Sequence, residues 1–269
     1  MTCTQSDTPC WEDSMPHFSV REKGDRITAM PLAASGMLSF FAVATFLLWV
    51  PTGAVGTLLA YRVSRQIVDP WWMMAGAALY TFLPLTVTSI TTDEARNAFG
   101  QRATAKRISA TPAFAGLGAG ILAAAVWAGG ITGAVLAIVG AGCGIAAAVS
   151  MLAAWKGIRD TRARLAWMAW LRRHGQRAPG VLREVRFLKK WSDENPLFTV
   201  VVEFATERGP QRITANMVTT RHRVPRNDSA VVITRVPGDP GAEVLIDLDP
   251  TGRPRFDPDT TKYVQPSAT

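Results

Sequence analysis

The chain predicts a membrane α-helical bundle of four transmembrane helices followed by a small all-β, barrel-like cytoplasmic domain. Three observations lead there. Residues 113–155 carry no charged side chain, over a length that would cross a bilayer core about twice, since one crossing needs roughly 20 apolar residues. The long apolar runs lie between Ala29 and Trp155, while the charges concentrate in the first 28 residues and after Lys156, so a membrane half and a water-exposed half are expected. Beyond Ala178 the hydrophobic pattern shortens and alternates, as strands do.

Residues 1–28 mix Thr, Ser, Asp, Glu, Arg and Pro without periodicity and read as a disordered tail, because they offer too little apolar surface to offset the entropy of ordering. With five acids and no apolar h-region they do not read as a secretory signal, so the first span is expected to act as the targeting signal. The transmembrane domain is placed at 29–155, with helices near 31–60, 71–92, 112–129 and 133–155. The first contains Pro51 and Gly53 and reads as one tilted or kinked helix, with a re-entrant piece over 51–61 as the alternative. Trp71 and Trp72 open the second at the depth that amphipathic aromatics favour, and Trp155 closes the fourth. Residues 93–111 read as a charged connection. Pro112 is expected at the first position of the third helix, where its missing donor is harmless.

Gly129 to Gly133 supply the turn that splits the long apolar stretch. Gly116 with Gly120, and Gly140 with Gly144, stand four apart, so each pair shares a helix face and permits close helix packing in the hairpin or in a dimer. Counting basic residues, four crossings place Arg21, Lys23, Arg26, Arg96, Arg102, Lys106, Arg107 and the arginines after Lys156 on one side, against Arg62 and Arg65 on the other. The positive-inside rule then puts both termini in the cytoplasm, at the cell (inner) membrane. The net charge of +8 is read as this topology signal and not as a nucleic-acid footprint.

Residues 156–178 form a basic juxtamembrane helix ending at Gly175. Arg159, Arg162, Arg164, Arg172 and Arg173 give it a cationic side. Leu165, Met168 and Leu171, with Trp167 and Trp170, give it an apolar one. Two readings stand: a helix in the headgroup layer held by anionic lipid, or an extension of the fourth span packed on the following domain. The β domain is placed at 179–248, with strands at 181–191, 197–207, 211–219, 230–236 and 243–248; Val200, Val202 and Phe204 face its core. Residues 249–269 read as a loose C-terminal tail.

Asn227-Asp228, the strand Val231 to Val236, Pro237-Gly238-Asp239-Pro240 and the closing strand Val244 to Ile246 together resemble a pattern in uncharacterised bacterial multi-pass membrane proteins with a small C-terminal β domain. Their pattern is a Gly-Asp turn, a valine-rich strand, an Asp-Pro-x-Asp-Pro motif and a last strand. Asn227 stands at the turn glycine and Val236 at the first aspartate. The resemblance covers the last third of the chain and implies the architecture, without a reaction.

The sequence offers no convergent set of catalytic or ligating side chains. His17, His174 and His222 are scattered without ligand spacing, so no metal site, cofactor or catalytic residue is expected. The three cysteines make no disulfide framework: Cys143 is a packing residue among glycines, while Cys3 and Cys10 read as free thiols, with a Cys3–Cys10 disulfide the alternative. No Asp, Glu, His or Arg lies inside the four spans, which speaks against a proton-coupled carrier. The expected function is therefore a non-enzymatic accessory or scaffold subunit of a membrane assembly, with another membrane protein or a second copy, and anionic lipid, as partners. The alternative is a small-solute channel or transporter.

Overall fold

A computed structural model describes residues 15–31, 36–64, 70–192, 194–206, 209–238, 243–249, 251–252 and 254–266, with backbone only at 63–64, 70, 72–75 and 77–79. These residues hold four α-helices, α1 (Leu38–Ser64), α2 (Pro70–Phe99), α3 (Arg102–Ala128) and α4 (Gly130–His174). They also hold six strands, β1 (His17–Ser19), β2 (Gln176–Ser192), β3 (Asn195–Thr206), β4 (Gly209–Val218), β5 (Ala230–Arg235) and β6 (Leu245–Leu248). The chain divides into a helical unit, Ala33–Arg159, and a β unit that combines Met1–Leu32 with Asp160–Thr269. Cys3, Cys10 and Arg65 lie outside the described residues.

Among the described residues, three helices are long and apolar enough to cross a membrane: α1, α3 and α4. α1 runs unbroken through Pro51, so 51–61 is part of one helix and no re-entrant piece forms. The charged connection expected over 93–111 is a correction. α2 continues to Phe99, α3 begins at Arg102, and Gly100 with a φ of 68° makes the turn between them. Arg and Lys are good helix formers, so charge ends an apolar run without ending a helix. Pro112 consequently sits inside α3.

Small residues and hydroxyls hold the helical unit together. A Cβ on Gly53 would stand 2.5 Å from the Leu117 carbonyl oxygen, while on Gly116 or Gly120 it would strike the carbonyls of Phe46 or Val50, so α1 and α3 touch backbone to backbone. α1 and α2 are joined by hydroxyls. Thr45 and Thr91 share a 2.8 Å hydrogen bond, and Trp49 Nε1 donates to Thr88 at 3.0 Å. Pro84 has no N–H for the Tyr80 carbonyl one turn earlier, and the Thr52 hydroxyl of α1 donates to that carbonyl at 2.9 Å. Thr92 of α2 donates to Ser109 of α3 at 2.7 Å. In lipid such bonds replace the hydrophobic drive that water would supply.

α4 buries a narrow line of Gly133, Gly140, Ala147 and Ala154, each seven residues from the last, and exposes Ile131, Val135, Ile138, Ile145 and Val149. Small residues face protein and large ones face outward, the membrane pattern. Its turn with α3 is Gly129-Gly130, both with positive φ, tighter than the five-residue turn expected.

The β unit is one antiparallel sheet in the order β1-β4-β3-β2-β5-β6, and its edge strands β1 and β6 lie beside each other, so it nearly closes. Phe198, Val200, Val202 and Phe204 of β3 point inward with Leu182, Met217 and Ile233. One residue, Gly175, separates α4 from β2, which starts five residues before the strand expected at 181 and runs through Pro179 and Gly180. Gly180 pairs with both Phe204 and Val231. It marks the corner where β2 passes from β5 to β3, and a Cβ there would press within 3.2 Å of Glu203, Ile233 and Val231.

Two expected tails are corrected. Residues 15–31 are ordered: His17, Phe18 and Ser19 pair with Val218, Met217 and Asn216 of β4, Ile27 packs on Leu197 and Val218, and the Ser192 hydroxyl donates to Asp25. Tertiary contacts stabilise a stretch too short and polar to order itself. At the other end Tyr263 is buried against Phe187 and Phe198, and the Trp191 indole donates to its carbonyl at 2.9 Å.

Candidate functional site

The sheet fails to close between β1 and β6, and a cleft of about 230 Å³ lies at that seam. Its apolar walls come from Phe18, Met168 and Leu245, and its polar groups from Thr28, Arg172 and Asp247. Each wall has a local reason. β1 ends after three residues because the chain turns at Ser19, whose hydroxyl accepts the Glu22 N–H at 2.9 Å. Met168 and Leu171 lie on one side of α4 and pack on Leu245. Gly175 ends the helix where a side chain would meet the Leu171 carbonyl and Thr234.

Charge is arranged at two places along this seam. Arg172 contacts Asp247 at 3.1 Å, with side chains 32% and 43% exposed, a solvated pair worth about 0–1 kcal/mol. The other group is enclosed. Arg164 Nη2 lies 2.6 Å from Glu243, the two side chains being 14% and 8% exposed, and Arg164 Nε lies 4.0 Å from Glu22. Arg21 reaches Glu243 at 3.4 Å. Glu22 accepts the Thr28 N–H and hydroxyl at 2.9 and 2.8 Å, and the Arg164 guanidinium stands 4.2 Å over the Trp167 ring. Removing Glu243 would strand the largely buried Arg164 charge, at about 3–5 kcal/mol.

The residues singled out from sequence do not converge. Arg164, Trp167 and Arg172 join the seam, whereas Arg159, Arg162 and Arg173 are exposed, and Trp170 is exposed and stacked on His174. Trp71 and Trp155 are exposed at the ends of α2 and of the apolar run of α4; the side chain of Trp72 is outside the described residues. Gly116 and Gly120 pack on α1 and not within the α3–α4 hairpin. Gly140 abuts Leu122 of α3, and Gly144 faces open space. Of the two readings of the basic helix, packing on the following domain describes Met168 and Leu171, whose apolar surface is spent on Leu245. α4 is also unbroken for 45 residues, about 68 Å, so it extends well past a 30 Å hydrocarbon core.

Missed from sequence were Arg21, Glu22, Thr28 and Glu243. A weak signal exists in the alternation of Phe18 and Val20, which marks a strand inside the supposed tail. No group of three His, Cys, Asp or Glu side chains is placed to hold a metal among the described residues.

On the outer face of the sheet, Arg183 and Arg212 both donate to Glu203, at 3.3 and 3.1 Å. The Arg183 hydrogen bond holds the Glu203 carboxyl below its ordinary range. Asn227 accepts the Val185 N–H, and Asp228, not Asn227, takes the left-handed φ of 64° at that turn. Burial, then the hydrogen bond to Asp257, raises the Tyr263 hydroxyl above its ordinary value. These groups brace strands and the barrel end.

Compared with known protein families, curated proteins and solved structures, the chain matches none.

Proposed function

We propose that this protein is a non-enzymatic accessory or scaffold subunit of a membrane assembly, with its β unit as the module that holds another protein. One observation carries the reading. The interior of the helical unit is taken up by backbone contact at Gly53, Gly116 and Gly120 and by threonine hydroxyls bonded to neighbouring helices, which is how a packed anchor is built rather than a solute path.

The topology in this reading is four crossings with both termini in the cytoplasm at the cell membrane. β1 precedes α1 and the other strands follow α4, yet all belong to one sheet. A sheet cannot be shared across a bilayer, so the number of crossings is even. α2, 30 residues long or about 45 Å, supplies the fourth. The basic residues flanking these helices favour the cytoplasmic side for the β unit, and Lys156 and Arg159, just past the exposed Trp155, are suited to anionic headgroups. The turn at Asn227-Asp228 followed by a valine-rich β5 supports kinship with bacterial multi-pass proteins carrying a small C-terminal β domain.

Crosslinking and mass spectrometry in native membranes test the role. The expected result is reproducible crosslinks from Lys189, Lys190 and Lys262 to one other membrane protein or to a second copy. Intramolecular crosslinks alone, together with solute flux through the purified protein in vesicles, would overturn it.

A further inference from the structure

We propose that Arg164 latches the barrel seam to α4: with its ion contacts made, β1 and β6 are held beside each other and the cleft is closed to its present size; with them broken, both edges open. This does not depend on who the partner is. β1 and β6 are the two edges of the sheet and are not paired with each other, so side chains must hold the seam. The cleft is walled by the N-terminal segment, the end of α4 and β6. Arg164 brings the same three stretches together: it meets Glu243, two residues before β6, at 2.6 Å and faces Glu22 of the N-terminal segment at 4.0 Å, while Arg21 of that segment reaches Glu243 at 3.4 Å. Glu22 carries the tie into the cleft wall by accepting both Thr28 donors, and Arg164 lies one helical turn before Met168.

Burial makes the device two-state. Arg164 is too enclosed to separate partway: once its 2.6 Å contact is lost, its charge faces only Glu22 at 4.0 Å among the described residues, while Glu243 keeps only the exposed Arg21, and the water Arg164 then needs enters by opening the seam. The open form would expose unpaired strand edges, ready to accept another chain.

Hydrogen exchange on the full chain in nanodiscs reads the latch directly. In Arg164→Met, amides of His17–Ser19 and Leu245–Leu248 are expected to exchange about tenfold faster or more, with Phe198–Phe204 unchanged. Arg164→Lys, which keeps the charge but loses the planar fork, should fall between. Should the Met variant fail to fold, Glu22→Gln reads the same outcome on His17–Ser19. Unchanged exchange at both edges would overturn the proposal, as would equal acceleration across the whole barrel, which would make the cluster a general stabiliser.

Discussion

At Gly120 a single methyl group has nowhere to go. Its Cβ would strike the Val50 carbonyl and press on Gly53, whereas at Gly144 nothing lies within 4 Å. Gly120→Ala is therefore expected to destabilise the helical unit by about 1–3 kcal/mol, as overpacking does, while Gly144→Ala leaves it unchanged or slightly firmer through helix propensity. Equilibrium unfolding in mixed micelles distinguishes them, and equal effects would refute the α1–α3 contact. Thr52→Val removes the donor for the Tyr80 carbonyl freed by Pro84 and should cost about 0.6–1.7 kcal/mol in the same measurement. Tyr263 adds an alkaline signature. Its folded pKa is raised by burial and then by Asp257, so its neutral form stabilises the fold below the ordinary tyrosine range and that stability is lost as pH rises above about 10. Tyr263→Phe should abolish this alkaline loss in a thermal-shift series.

Elements show what a sequence can reveal unaided. The spans within α1, α3 and α4 are legible as uncharged apolar runs of membrane length, and the inward residues Val200, Val202 and Phe204 as an alternation of period two. β1 is not, since three residues that order only against Met217 and Val218 have no local signature. The expected ends of α2 at 92 and α3 at 112 fall where charged residues begin, whereas the helices run to Phe99 and from Arg102 with Gly100 turning between them. The seam was illegible for the same reason as β1: Arg164, Glu22 and Glu243 are far apart in the chain, and only the fold makes them neighbours. The strands also carry a pH dependence. Glu203, held low by Arg183 and Arg212, is depressed in the folded state, so its stabilising effect is present above the ordinary Glu range and lost as pH falls through the lowered value. Glu203→Gln should flatten the acid limb of barrel unfolding; an unaltered limb would mean these ion pairs contribute nothing.

For the whole molecule, the decisive feature is that the first and last segments of the chain build one sheet. In the proposed topology that arrangement requires an even number of crossings; α4 runs into β2 through Gly175 alone. The large outward side chains of α4, Ile131, Val135, Ile138, Ile145 and Val149, are suited to a lipid-facing surface. The most direct test is impermeant thiol labelling in intact cells, with Cys3, Cys10 and Cys143 replaced by serine and single cysteines placed at Arg21, Glu194 and Ile131. Ile131→Cys, beside the α3–α4 turn, is expected to label in intact cells while Arg21→Cys and Glu194→Cys label only after permeabilisation. Labelling of Arg21→Cys and Glu194→Cys from opposite sides would contradict it, because no single sheet could then contain both β1 and β3.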